Sequence, residues 1–356
     1  METSNQSKIN ATGELIAYAR SRGVEVAGYD LVILDRGDPA AGAYGAYVGD
    51  EWVGRGPDAI SKTSSACAAS GWDAALRAKV QQWLDVGLTG VELDGPYGGE
   101  TCGATNHSGH RHLKDSVFRQ TEKQNAFFAW LVSEGVYVHT PDRYFYYGAS
   151  KSGMGYDEQQ YSLPRWEDLS VSRAGMYDDL YERTPTMGWM FVPLVEYHGG
   201  GAAATFLSDD REAFEWAFAQ YLTSGVMACF RGPVLYDSNA TRIVVAKWAA
   251  FYREHRAILT ADVVHLKRPD VQGLDALLHV DAGADEVGLL VVFNPLAASV
   301  STELRVPLYY TGLEDAARVT DDTGRARDYA LDRGYAVDLP ATVAPRTIRW
   351  WIVTRP

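Results

Sequence analysis

Residues 87–112 read GLTGVELDGPYGGETCGATNHSGHRH. An apolar run, residues 86–93, stops at an acid, Asp94, and a Gly/Pro-rich loop with one cysteine and three histidines follows. A short buried strand that ends on a carboxylate and opens into a long polar loop is how a parallel barrel presents a reactive side chain.

The flanking sequence repeats this unit. DAALRAKVQQWLD (73–85) places Ala75, Val80, Trp83 and Leu84 on one side of a helix, and Gly87 ends it. Residues 115–133 form a second amphipathic helix, Gly135 caps it, and a strand over 136–140 runs into Pro141-Asp142. Helix, glycine, apolar strand and polar loop make the βα unit of a parallel sheet. Upstream, VEVAGYDLVIL (24–34) is strand-like, with Asp30 in its body. Downstream, 169–172 and 189–195 read as strands, 209–223 as a helix, 225–231 as a strand and 241–259 as the last helix. Residues 1–12 read as a flexible lead. The six candidate parallel strands begin near residues 24, 87, 136, 169, 189 and 225.

Beyond residue 260 the texture changes. Short runs such as VGLLVVFNP and TIRWWIVT alternate with turns, the pattern of an antiparallel β-sandwich over 261–356. The predicted fold class is α/β: a (β/α)8 barrel of the TIM type over 13–260, N-terminally truncated, followed by that small sandwich. A complete barrel needs eight strands, so two would precede residue 13.

Composition narrows the function. The chain has 356 residues and a formal net charge of −13. That balance argues against nucleic acid, whose phosphates need a basic surface, and against anionic membrane surfaces. No apolar run is long enough to span a bilayer. The N-terminus METSNQSKINATGEL lacks the apolar core of a signal peptide, which leaves the compartment open. Twenty-one Tyr, 10 Trp and 11 Phe lean towards a carbohydrate partner, since aromatic rings stack on sugar faces. His107, His110 and His112 raise the question of a metal. The loop that carries them is glycine-rich and without helical spacing, so the reading is no metal and no cofactor, with His107 as a hydrogen-bonding group for sugar hydroxyls.

The terminal β-sandwich, the acid closing GVELD, the segment PTMGWMFVP and the helix KWAAFYREHRAIL together resemble the retaining α-galactosidase clan, glycoside hydrolase families twenty-seven and thirty-six. In that clan a Lys-aromatic-Asp triplet ends the fourth barrel strand and its Asp is the nucleophile; here the triplet is Glu92-Leu93-Asp94. The resemblance implies retaining hydrolysis of an α-linked, galactose-like sugar with Asp94 as nucleophile. It implies a Cys67–Cys102 disulfide across this strand. It also implies that the first two strands belong to a missing N-terminal segment or a partner chain, which would leave the edge of the residue 24–34 strand exposed.

A retaining glycosidase needs a second carboxyl about 5–5.5 Å from the first. The clan's acid follows its sixth strand, but here Ser172 is followed by Arg173. Asp142, at a strand end, and Glu158, on a long aromatic loop, are the candidates; Glu167, Asp168, Asp178 and Asp179 stay open. Substrate contacts are expected from Asp30, Tyr97, His107, His139, Arg143, Tyr144, Trp166, Arg173, Trp189, His198 and Arg231, the arginines for any anionic sugar. Two other classes compete: a degenerate barrel that only binds glycans, and a metal-dependent hydrolase built on His107 and its neighbours.

Overall fold

The computed structural model describes residues 6–32, 34–36, 47–48, 51–52, 63–94, 99, 101–105, 107–139, 152–153, 165–182, 188–193, 208–231 and 234–356. The chain packs as two compact units, Met1–Ser152 and Gly153–Pro356.

In the first unit α1 (Gln6–Ser21) precedes β1 (Ala27–Leu31), followed by four short strands, β2 (Leu34–Arg36), β3 (Tyr47–Val48), β4 (Glu51–Trp52) and β5 (Thr63–Ser65). Then come α2 (Trp72–Asp85), β6 (Gly90–Asp94), α3 (Leu113–Ser133) and β7 (Tyr137–His139). Strands β1, β6 and β7 form a parallel sheet in that order. Gly87 and Gly135 take left-handed φ of 103° and 76°, the conformation that ends each helix and turns the chain into the next strand. Val91, Leu93 and Val138 project into a core made by Trp72, Leu76 and Val80 of α2 and Phe127, Phe128 and Leu131 of α3. The expected flexible lead is a correction. Residues 6–12 already belong to α1, because Ile9 and Ile16, two helical turns apart, both bury against Trp83 and Leu88. Among the described residues β1 pairs on one side only, and Val24 just before it is exposed.

The second unit continues from β8 (Ser152–Gly153), at the junction, to α4 (Arg165–Glu182), β9 (Gly188–Pro193), α5 (Arg211–Leu222), β10 (Met227–Arg231), α6 (Asn239–Glu254) and α7 (Arg256–Leu259). Strands β9 and β10 are parallel. The strand expected at 169–172 is instead the middle of α4. Leu169, Ser172, Arg173, Met176, Tyr177 and Leu180 are buried, a spacing of three and four that a four-residue window hides.

Eight antiparallel strands follow: β11 (Asp262–Lys267), β12 (Asp275–Val280), β13 (Glu286–Asn294), β14 (Val300–Pro307), β15 (Ala316–Asp321), β16 (Ala326–Ala330), β17 (Ala336–Val343) and β18 (Thr347–Thr354). Six make one sheet in the order β11-β12-β13-β18-β15-β16, and β14 and β17 make a ribbon. One face of the sheet packs on the ribbon through Leu278, Leu290, Val292 and Val353 against Val306, Val337 and Leu339. The other face, through Leu277, Leu289, Val291 and Phe293, packs on α5, α6 and α7. With both faces covered, β12 and β13 are buried almost throughout, which is why residues 287–293 of β13 read as a continuous apolar run; β17 is covered on one face and alternates.

His279 on β12 is fully buried, and its Nε2 donates to the Thr223 carbonyl at 2.9 Å. Burial lowers its pKa from 6.5 to about 4. Between those values the folded chain binds fewer protons here than the unfolded chain, so stability is present above pH 6.5 and falls as the pH drops towards 4. The loss from this group is about 3 kcal/mol. Urea unfolding at pH 7 and pH 4.5 is expected to show a smaller pH dependence in His279→Gln, which keeps an N–H for Thr223. Equal pH dependence in the two proteins contradicts the assignment.

Candidate functional site

Strand β6 sets the site. Val91 and Leu93 face the helices, so alternation puts positions 90, 92 and 94 on the opposite face. The parallel register aligns Tyr29, Glu92 and His139 in one rung and Leu31 with Asp94 in the next. That face therefore carries a phenol, a carboxylate and an imidazole one step before Asp94, at the carboxyl end of the sheet. Tyr29 is exposed, and Glu92 and His139 are half-buried. Glu92 entered the sequence reading only as part of the triplet; its place two residues before Asp94 was the available signal for a site-facing acid.

Asp30 is a correction. It lies on the helix side of β1, 6% exposed, with Lys79 Nζ of α2 at 3.2 Å from its carboxylate. Strand alternation groups it with Val32, a core residue, and away from the Tyr29 face. Arg173 is another. It is 2% exposed, and its Nε and Nη2 donate to Asp275 Oδ1 at 3.0 and 2.5 Å while its guanidinium stacks 3.8 Å from the Phe293 ring centre. It holds α4 to the β-module and has no reach towards a sugar. Trp166 packs edge-to-face on Trp216, with Arg346 over its ring at 4.3 Å, at the margin of the second unit's core. Asp178, on α4, pairs with Arg268 at 2.5 Å. Tyr97, Asp142, Arg143, Tyr144, Glu158 and His198 lie outside the described residues. Asp94, Trp189 and Arg231 are described as backbone positions in β6, β9 and β10.

The cysteines are not bridged: Cys67 and Cys102 are free, fully buried thiols. Cys67 sits in the turn between β5 and α2; Cys102, His107 and His110 come from the β6–α3 loop. One ligand atom from each of the four lies within 4.8 Å of the others. His107 Nε2 is 3.8 Å from Cys102 Sγ, and the two imidazoles meet edge-to-face at 4.7 Å. Burial, then Cys102 beside it, pushes the Cys67 thiol up to about 12; burial, then His110, lowers His107. Helix α3 anchors both strands of the cluster: Ser116 Oγ accepts from the Cys102 N–H at 3.0 Å and Gln120 Oε1 from the Ala68 N–H at 3.1 Å. Gly109 serves close approach rather than slackness. A Cβ on Gly109 would stand 1.6 Å from the Ala69 carbonyl oxygen. The third histidine, His112, is apart and exposed at the start of α3, 3.1 Å from Asp115. The buried polar Ser116 and Gln120 on an otherwise amphipathic helix were the sequence signal that this loop is tied down.

No protein family matches the sequence, and no curated protein matches it. Solved structures do. An α-galactosidase of glycoside hydrolase family thirty-six from Geobacillus stearothermophilus superimposes with a TM-score of 0.70 at 12% identity, over 96% of this chain and 46% of that one. A γ-CGTase from an alkalophilic Bacillus clarkii gives 0.61 at 15% identity, over 98% and 56%. An α-amylase from Geobacillus thermoleovorans, complexed with acarbose, gives 0.62 at 12%, over 98% and 81%. The chain spans about half the length of the α-galactosidases it matches. It shares the glycoside-hydrolase-like fold of the family thirty-six α-galactosidases, with a β-rich C-terminal part.

Proposed function

We propose that the chain carries the catalytic face of a retaining glycoside hydrolase acting on an α-linked, galactose-like sugar, with Asp94 as the nucleophile. The observation that supports this most is the alternation of β6. Val91 and Leu93 enter the helix-side core, so position 94 falls on the opposite face at the carboxyl end of a parallel strand, where sheets of this kind carry their chemistry. Similarity to α-galactosidases, and to an amylase described with acarbose, adds the substrate class by analogy of fold. In this reading the Asp94 carboxylate attacks the anomeric carbon and expels the leaving oxygen. A second carboxyl, Asp142 or Glu158, protonates that oxygen and then activates the water that releases the sugar. Tyr29, Glu92 and His139 line the same face as hydrogen-bonding partners for sugar hydroxyls.

The test is release of nitrophenol from a panel of aryl α-glycosides. Turnover of the α-galactoside with retention of anomeric configuration, read by proton NMR, is expected. Binding of galactosides without turnover by any member of the panel would favour the glycan-binding reading and sink this one.

A further inference from the structure

We propose that Cys67, Cys102, His107 and His110 form a closed zinc site that pins the loop after β6 to the turn before α2. Two thiols and two imidazoles are a complete tetrahedral donor set for zinc, and their ligand atoms already lie within 4.8 Å of one another. Bonds of about 2.0–2.3 Å in a tetrahedron set ligand atoms about 3.3–3.8 Å apart, so side-chain shifts of about 1 to 1.5 Å close the shell.

The second observation is independent of the grouping. His110 is 7% exposed, and among the described residues neither its Nδ1 nor its Nε2 has a hydrogen-bond partner. An imidazole kept from water with both nitrogens unsatisfied costs free energy, and a metal bond from one of them removes part of that cost. The donors are held from outside, as a metal site requires: Ser116 and Gln120 of α3 fix the backbone at Cys102 and Ala68.

The proton balance is explicit. Each thiol gives up its proton to solvent as it binds, so two protons leave for each zinc, and the dithiolate cancels the ion's charge. His107 binds through Nε2, the nitrogen next to Cys102 Sγ. Its proton then resides on Nδ1, and the 3.3 Å bond that Nδ1 accepts from the Gly109 N–H opens. Four protein ligands leave no coordination position for water, so the site is structural and takes no part in bond cleavage. Its effect is to hold the loop that begins directly after Asp94. The glycosidase reading and this one stand on different observations.

The experiment uses the full chain, purified under reductant and given zinc. Elemental analysis after gel filtration is expected to give one zinc per chain. Cobalt(II) in its place is expected to give tetrahedral d–d bands with a thiolate charge-transfer band, and titration to release two protons per metal. Cys102→Ser and His110→Ala are expected to weaken zinc retention at least about 100-fold, since losing even an outer partner costs 10–100-fold; His112→Ala keeps it. If the ligand variants do not fold, the wild-type readings decide alone. Substoichiometric zinc, cobalt without sulfur charge transfer, or a Cys67–Cys102 disulfide in peptide maps of unreduced protein would overturn the proposal.

Discussion

Asp94→Asn is expected to lower kcat on an aryl α-galactoside at least about 10³-fold, equivalent to about 4 kcal/mol of lost transition-state stabilisation. The amide is nearly the same size as the carboxylate but is a poor nucleophile, so the fold should be kept while the covalent step is lost. Far-ultraviolet circular dichroism and urea unfolding close to wild type are the companion results. Glu92→Gln, one rung away on the same face, separates position from chemistry. It is expected to raise KM more than it lowers kcat, because in the proposed scheme it touches hydroxyls and not the anomeric carbon. An Asp94→Asn protein as active as wild type would remove the nucleophile from this account.

Arg173→Ala is expected to cost about 3–5 kcal/mol of stability in the second unit. The ion pair with Asp275 is buried at both ends, with each side chain 2% exposed. Desolvation raises the Asp275 carboxyl, and Arg173 is the largest influence opposing that rise. With the guanidinium gone, the carboxylate is a buried, unpaired charge, and it must either take a proton or unfold its surroundings. The cost in the variant should therefore shrink as the pH falls and Asp275 protonates. Arg173→Met with Asp275→Leu should recover most of the loss, because a well-packed apolar pair replaces a buried ion pair at little cost. Urea unfolding of wild type, Arg173→Ala and the double variant measures all of this. A single-variant loss below about 1 kcal/mol, the range of an exposed pair, would contradict the structural role.

What could be read from the sequence was local. The two βα units around β6 were legible because Val80, Trp83, Phe127 and Leu131 recur at helical spacing and Gly87 and Gly135 mark the exits. The β-module was legible because its strands are short, apolar and separated by turns. Two elements were read only in their C-terminal part, α1 over 14–21 and α4 over 176–182, because a short window overrode a long period: Ile9 lies seven residues before Ile16, and residues 169–172 look strand-like alone. Partners distant in sequence were not legible at all. Arg173 finds Asp275 102 residues away, and nothing near either residue names the other. Cys67 was linked to Cys102 by resemblance to a disulfide. The addition of His107 and His110 depends on Gly109 lying against Ala69, a contact that no spacing rule encodes. At the candidate site the strand and its acid were legible from GVELD, but the face it shares with Tyr29 and His139 needed the parallel register.

The most direct test of the central claim is to trap the covalent intermediate. A fluorinated α-galactosyl fluoride has a good leaving group and an electron-poor ring, so attack proceeds while hydrolysis of the glycosyl-enzyme is slowed. Intact-mass analysis is predicted to show one sugar added per chain, and peptide mapping to place it on Asp94 as an ester absent from Asp94→Asn. A chain that turns over galactosides yet carries no adduct, or carries it on another carboxylate, would contradict the account.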